Sequence, residues 1–232
     1  MNQLERTELL LGPKKMAMLQ HSHVAVFGLG GVGGFAVEAL ARSGVGNLDI
    51  IDKDTIDETN LNRQIIATQS TIGQYKTDVM KRRIGDINPK IAVHAFPVFY
   101  LPSTKDRFDF SQYDYIVDAV DTVTAKLSLI EEAYAYGIPI ISAMGAGNKL
   151  DPTKFKVADI YQTSIDPLAK IIRKELRKRD IDHLKVVYST EKPRKIKTYT
   201  PGKVVGSVSF VPSVAGLIMA GEVIKDLTSS DD

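Results

Sequence analysis

From Val24 to Met144, short apolar runs alternate with stretches whose apolar positions recur at helical spacing. Val24-Ala25-Val26-Phe27 is continuously apolar, as a strand covered on both faces would be, and Phe35-Ala36-Val37-Glu38-Ala39-Leu40-Ala41 has the spacing of a buried helix. Leu48-Asp49-Ile50-Ile51, Tyr115-Ile116-Val117 and 137–142 repeat the strand signature, and a helix is predicted from Lys76 towards Ile84, ending near Asn88-Pro89. This rhythm predicts an α/β fold of Rossmann-like type, a mostly parallel sheet flanked by helices. After Asp151 the pattern changes. Residues 152–203 are charged and proline-punctuated and read as a basic, mobile crossover insertion containing a helix over 167–179. A strand is predicted over 204–210, then a terminal helix over 213–224 with Ser213 as its N-cap. No repeat or low-complexity tract interrupts the chain, so 1–232 is expected to be a single domain.

Between the first strand and the first buried helix lies Gly28-Leu29-Gly30-Gly31-Val32-Gly33. Gly28 permits a sharp turn, Gly30 lets a phosphate approach the backbone, Gly33 allows close helix packing, and the helix N-terminus offers N–H groups to an anion. The second strand delivers Asp52, whose carboxylate can accept hydrogen bonds from ribose hydroxyls. Dinucleotide binding needs no more than this, yet the chain goes on. The polar segment 52–64 ends in Asn60-Leu61-Asn62-Arg63-Gln64, with Asp54 within it, and Gly73-Gln74-Tyr75-Lys76 follows. Arg63 offers a planar, permanently charged fork for phosphate oxygens, and Lys76 a compact point charge in the first turns of a helix. Asp121, beyond the 115–117 strand, can hold Mg²⁺ directly or through water. Asp118 reads as structural, because residues at a strand end point in different directions and only one need face a ligand.

Jointly, Gly28-x-Gly30-Gly31-x-Gly33, Asp52, Asn60-Leu61-Asn62-Arg63-Gln64, Gly73-x-x-Lys76 and Asp121-Thr122 resemble the E1-like adenylating enzymes. Within that group, Arg6-Thr7-Glu8-Leu9-Leu10, 145–153, Asp166-Pro167-Leu168-Ala169 and 206–212 are similar to the tRNA threonylcarbamoyladenosine dehydratases. The resemblance implies ATP as substrate and Mg²⁺ as cofactor, with tRNA bearing N6-threonylcarbamoyladenosine as partner. The carboxylate of that nucleoside would attack the α-phosphate of ATP, and its own carbamoyl group would then displace AMP, closing a ring with net loss of water. The implied nucleotide contacts are Gly28, Gly30, Gly31, Gly33, Asp52, Asp54, Asn60, Arg63, Gln64, Lys76 and Asp121. Arg63, Lys76 and Asp121 would be catalytic, and Arg6 would reach the neighbouring subunit's ATP site in a homodimer. Three other readings account for less of the chain. An activator of a small carrier protein explains only the ATP residues, an NAD-dependent oxidoreductase leaves Arg63, Lys76 and Asp121 without a task, and a non-catalytic RNA-binding protein explains only the basic region.

Composition adds one exclusion and one field. The chain has no cysteine, which rules out disulfides, cysteine zinc sites and any thioester or persulfide step on it. The net charge is only +2, but basic residues crowd the region after Asp166: Lys170, Arg173, Lys174, Arg177, Lys178, Arg179, Lys185, Lys192, Arg194, Lys195, Lys197 and Lys203. Such a field draws a phosphate backbone, and Tyr188 and Tyr199 among these charges are expected to stack on loop bases. Lys126 reads as a helix-surface charge. His21, His23, His94 and His183 lack metal-ligand spacing and read as structural or surface groups. The first eleven residues lack the pattern of a signal peptide and no apolar stretch is long enough to span a bilayer, which predicts a cytoplasmic protein with neither membrane nor DNA as partner.

Overall fold

The computed structural model describes residues 3–195 and 205–229. Helices α1 (Glu5–Leu11) and α2 (Pro13–His21) precede β1 (His23–Phe27), α3 (Gly33–Ser43) and β2 (Asn47–Ile51). Next come α4 (Lys76–Ile87), β3 (Ala92–Phe96), β4 (Tyr115–Asp118), α5 (Val123–Tyr136) and β5 (Ile140–Ala143). The chain continues through β6 (Phe155–Asp159), α6 (Pro167–Arg177) and β7 (Lys185–Ser189) to α7 (Pro212–Leu227). The seven strands form one sheet in the order β3-β2-β1-β4-β5-β7-β6, parallel throughout except that β6 runs antiparallel to β7.

Alternate residues of the central strands feed two different cores, which is why these strands are apolar without interruption. Val24, Val26, Leu48, Ile50 and Val117 pack beneath α3, α4 and α7 with Leu40, Met80 and Met219. Ala25, Phe27 and Ile116 face the other way onto Leu129 and Ala133 of α5. A third cluster joins α5 to α6 and β7 through Ile130, Ile172, Leu176 and Val186. Gly216 lets α7 press against α3, since a Cβ there would lie 2.1 Å from the Val32 carbonyl oxygen. The chain leaves β1 towards β2 on one side and reaches β4 on the other, so the strand order reverses between β1 and β4. Their carboxyl ends splay apart at that reversal, where open α/β sheets bind ligands.

The α/β reading and its parallel sheet hold, with four local corrections. The strand preceding the terminal helix is Lys185–Ser189, whereas 205–211 forms no strand. The described part of the basic stretch supplies β6, α6 and β7, so a run that reads as a charged excursion is integral to the sheet. Ser213 lies inside α7, its hydroxyl donating to the Ser209 carbonyl oxygen, while Val211 occupies the cap position. Lys126 is not on the surface: it is 0% exposed, and its Nζ donates to Asp118 Oδ2 at 2.7 Å and Ser142 Oγ at 3.1 Å. Asp118 itself is fully buried, as its structural reading requires.

Candidate active site

The turn after β1 is built by two unavoidable glycines. Gly28 sits at φ 92°, and a Cβ there would lie 2.7 Å from the Ala119 carbonyl oxygen; one on Gly33 would lie 1.8 Å from the Gly28 carbonyl oxygen. Gly30 has open space where a Cβ would stand, so its side of the turn is clear for a ligand. No side chain caps α3, and its N-terminus opens onto a cleft of about 500 Å³ lined by Gly30, Gly31 and Val32. The cleft lies over the carboxyl ends of β1, β2 and β4, at the strand-order reversal.

Ten of the twelve residues singled out from the sequence line this one cleft: Gly28, Gly30, Gly31, Asp52, Asp54, Asn60, Arg63, Gln64, Lys76 and Asp121. Gly33 lies beneath the turn as a packing residue. Arg6 does not join them; it is exposed on α1. Asp52 at the end of β2 accepts the backbone N–H of Leu29 at 2.7 Å and of Asp54 at 2.8 Å. Burial pushes its carboxyl above the usual carboxylate range, a push that nearby Lys76 and these two N–H groups only partly offset. A short antiparallel bridge between Thr55 and Tyr75, with Lys76 N–H donating to the Asp54 carbonyl at 3.0 Å, brings the start of α4 back to the end of β2. Lys76, 5% exposed, therefore has its Nζ 3.0 Å from Asp54 Oδ2 and 3.9 Å from Asp52 Oδ2. The Arg63 guanidinium is held by the Thr59 carbonyl and Asn62 Oδ1, both at 2.8 Å, and Asn60 Oδ1 accepts from the Asp57 N–H at 3.2 Å.

Three cations, Lys53, Arg63 and Lys76, and a glycine turn fit a nucleotide polyphosphate, and Asp52 is placed to accept ribose hydroxyls. Gln64 adds an independent sign: it is 7% exposed, lines the cleft, and its Oε1 is buried without a hydrogen-bond partner. A buried acceptor left unsatisfied costs about 1–3 kcal/mol, which a ligand N–H or O–H would recover. The Asp121 carboxylate is exposed at the cleft, an oxygen donor of the kind Mg²⁺ takes.

A model of the ThiF family matches residues 3–232. The chain belongs to the ThiF family. Its relatives include the tRNA threonylcarbamoyladenosine dehydratase of Bacillus subtilis strain 168, 46% identical over 241 residues that span 98% of this chain and 95% of the relative. The crystal structure of E. coli tRNA N6-threonylcarbamoyladenosine dehydratase in complex with ATP superposes with a TM-score of 0.88 at 34% identity, covering 97% of this chain and 93% of that one. The same E. coli enzyme in complex with AMP matches equally well, with a TM-score of 0.88 at 32% identity over the same shares of the two chains. E. coli MccB shares the fold at 22% identity and a TM-score of 0.68, covering 98% of this chain and 64% of that one.

As a ThiF-family site, the cleft also contains residues outside the predicted nucleotide contacts, some of them within the segments 145–153 and 206–212 that carry the resemblance. Val98, Phe99 and Tyr100 beyond β3 form an apolar wall, and Lys53 Nζ stands 4.0 Å from the Phe99 ring centroid. An aromatic pair immediately past a strand end was the available signal. Gly145, Ala146 and Gly147 form the opposite wall, crossed by Val205 and Ser207. Asn148 ties the two segments: its N–H donates to the Gly206 carbonyl at 2.7 Å, and its Oδ1 accepts the Gly206 N–H at 2.7 Å. Beneath them Lys149, 2% exposed, is paired with Asp166 at 3.0 Å and also donates to the Gly145 carbonyl.

The basic region is less open than its composition implies. Lys185 is paired with Asp226 at 2.6 Å, Arg179 with Glu131 at 2.5 Å and Glu175 at 2.9 Å, and Arg177 lies over the Tyr161 ring. Tyr188 is 5% exposed within the α6–β7 core, so it cannot stack on a base; strand alternation turned it inward. Lys170, Lys174, Lys192, Arg194 and Lys195 are exposed. Lys197, Tyr199 and Lys203 lie outside the described residues.

Proposed function

We propose that this chain is an ATP-dependent tRNA threonylcarbamoyladenosine dehydratase, forming a single ATP-binding domain and acting in the cytoplasm. The observation that carries the reading is the convergence of Arg63, Lys76 and the unsatisfied Gln64 on the glycine turn at the strand-order reversal. The close similarity to the B. subtilis and E. coli dehydratases selects the substrate. Among the described residues no helix is long and apolar enough to cross a membrane.

In this reading ATP lies with its phosphates against Gly28, Gly30 and Gly31, while Asp52 receives the ribose. A carboxylate oxygen of the tRNA nucleoside attacks the α-phosphorus and pyrophosphate leaves. Arg63 and Lys76 neutralise charge developing on the α-phosphate and the leaving group, and fixed charges aimed at developing charge are usually the largest catalytic contribution. Lys76 is already oriented by Asp54 and Asp52, so it needs little reorganisation. Asn60 supports this polar cluster. Asp121 would hold Mg²⁺, which when bound supplies further neutralisation of the phosphates. The carbamoyl group then attacks the acyl carbon and AMP departs, so the nucleoside loses one water overall. Held in position, such an intramolecular nucleophile reaches an effective molarity of roughly 10⁵ M or more, so a chain with no cysteine needs no covalent intermediate of its own.

The active unit in this reading is a homodimer in which Arg6 acts on the partner's cleft. Arg6 stands exposed on α1 beside Leu9 and Leu10, which are 81% and 88% exposed and present an apolar face for a second copy to cover. The exposed lysines of α6 and of 192–195 face the tRNA. The test is incubation with ATP, magnesium and tRNA carrying the open nucleoside, then mass spectrometry of nucleosides under conditions that protect the ring. An ATP-dependent loss of one water that vanishes in Arg63→Ala supports the assignment. No mass change, with adenylation of a carrier-protein tail instead, replaces it.

A further inference from the structure

Far along the chain from one another, His23, Asp49 and His94 meet on one face of the sheet. The register explains how. His94 on β3 stands directly beside Asp49 on β2, Asp49 stands beside Ala25 on β1, and His23 lies two residues before Ala25 and so on the same face. His23 Nε2 is 2.7 Å and His94 Nδ1 2.8 Å from the same carboxylate oxygen, Asp49 Oδ1. The other oxygen, Oδ2, accepts the Tyr113 hydroxyl at 2.8 Å, and the His23 backbone N–H is held by Asp114 Oδ2 at 2.7 Å.

We propose that His23, Asp49 and His94 bind a single divalent transition-metal ion, Zn²⁺ by its fit to a two-imidazole, one-carboxylate donor set, with water completing the shell. The three ligand atoms already lie within 4.8 Å of one another. Zn²⁺ takes nitrogen and oxygen ligands at about 2.0–2.2 Å, which places neighbouring donors of a tetrahedron roughly 3.5 Å apart, so side-chain shifts of about an ångström or less admit the ion. Tyr113 supplies the outer hydrogen bond that orients a ligating carboxylate. Asp49 is 4% exposed, while the His94 side chain is 58% exposed and leaves a route for the ion to enter. No cysteine competes, and the other two histidines, His21 and His183, lie outside the cluster. The ion would pin β1, β2 and β3 together, a structural role separate from adenylation.

The test uses tag-free full-length protein, stripped with a chelator and titrated calorimetrically with Zn²⁺ in the absence of ATP. The expected result is one ion per chain and a higher melting temperature, with affinity reduced at least about tenfold in His94→Ala. Because His94 is exposed, that variant does not threaten folding. Tyr113→Phe, which removes only the outer hydrogen bond, weakens binding by about 10–100-fold. His183→Ala binds as the parent does, and Co²⁺ substituted at the site gives the absorption of a low-coordinate nitrogen and oxygen shell. Absence of stoichiometric binding, or equal affinity in His94→Ala and the parent, overturns the proposal and leaves the cluster a hydrogen-bonded strand clamp.

Discussion

Replacing Lys126 by methionine strands Asp118 in a pair whose two side chains are both 0% exposed. Asp118 accepts Lys126 Nζ at 2.7 Å, Ser142 Oγ at 2.6 Å and the Val120 N–H at 3.2 Å. Methionine fills nearly the same volume, so the loss is electrostatic rather than a cavity. Stranding one partner of a buried ion pair costs about 3–5 kcal/mol. For a chain of this length that lowers Tm by roughly 6–20 °C, at about 2–4 °C per kcal/mol. The assay is urea unfolding of the parent, Lys126→Met, Asp118→Asn and the double variant, with m-values checked for constancy. In the double variant no charge of this pair remains, and the amide oxygen that replaces the carboxylate can still serve as an acceptor. It should therefore be more stable than Lys126→Met alone, with a coupling of about 1–3 kcal/mol between the sites. A loss below about 1 kcal/mol in Lys126→Met, or strictly additive singles, refutes the electrostatic account. Since 119–121 follows directly from Asp118 into the cleft wall, ATP affinity should fall along with stability.

Three further outcomes are expected. Gly30→Ala should keep the parent's melting temperature and lose ATP affinity, whereas Gly33→Ala, whose Cβ would sit 1.8 Å from the Gly28 carbonyl oxygen, should lose stability itself; thermal melts with and without ATP separate the two. Arg63→Ala and Lys76→Met should each slow pyrophosphate release about 10²–10³-fold while far-ultraviolet circular dichroism stays unchanged, and near-parental rates in either would remove that residue from the mechanism. Burial would raise the Glu38 carboxyl, but hydrogen bonds from Arg83 at 2.6 Å and Arg42 at 2.8 Å prevail and hold it below 4.5. Its stabilisation is therefore complete above pH 4.5 and is lost as pH falls through the lower folded value. Glu38→Gln should be less stable than the parent at neutral pH and converge with it in acid; a gap independent of pH contradicts this.

The sequence by itself determined four of the seven strands, the nucleotide turn and most of the site. Those signals are local: unbroken apolar runs mark strands buried on both faces, and glycines at 28 and 33 mark places where a Cβ meets backbone. Asp52 and Asp121 were legible because each lies just beyond a strand end in a doubly wound sheet, where loops face the ligand, and Arg63 and Lys76 were legible through the joint motif that follows the glycine turn. Tertiary structure alone decided what depends on depth and on side-chain direction. Lys126 looks like a surface charge until α5 is laid over β4 and β5, and Tyr188 looks like a stacking platform until β7 turns it into the core. His23, Asp49 and His94 have no spacing to recognise, since 26 and 45 residues separate Asp49 from the two histidines. The register of three parallel strands brings them together, and register is set by cores and crossovers distant in the chain, so no window of sequence contains it.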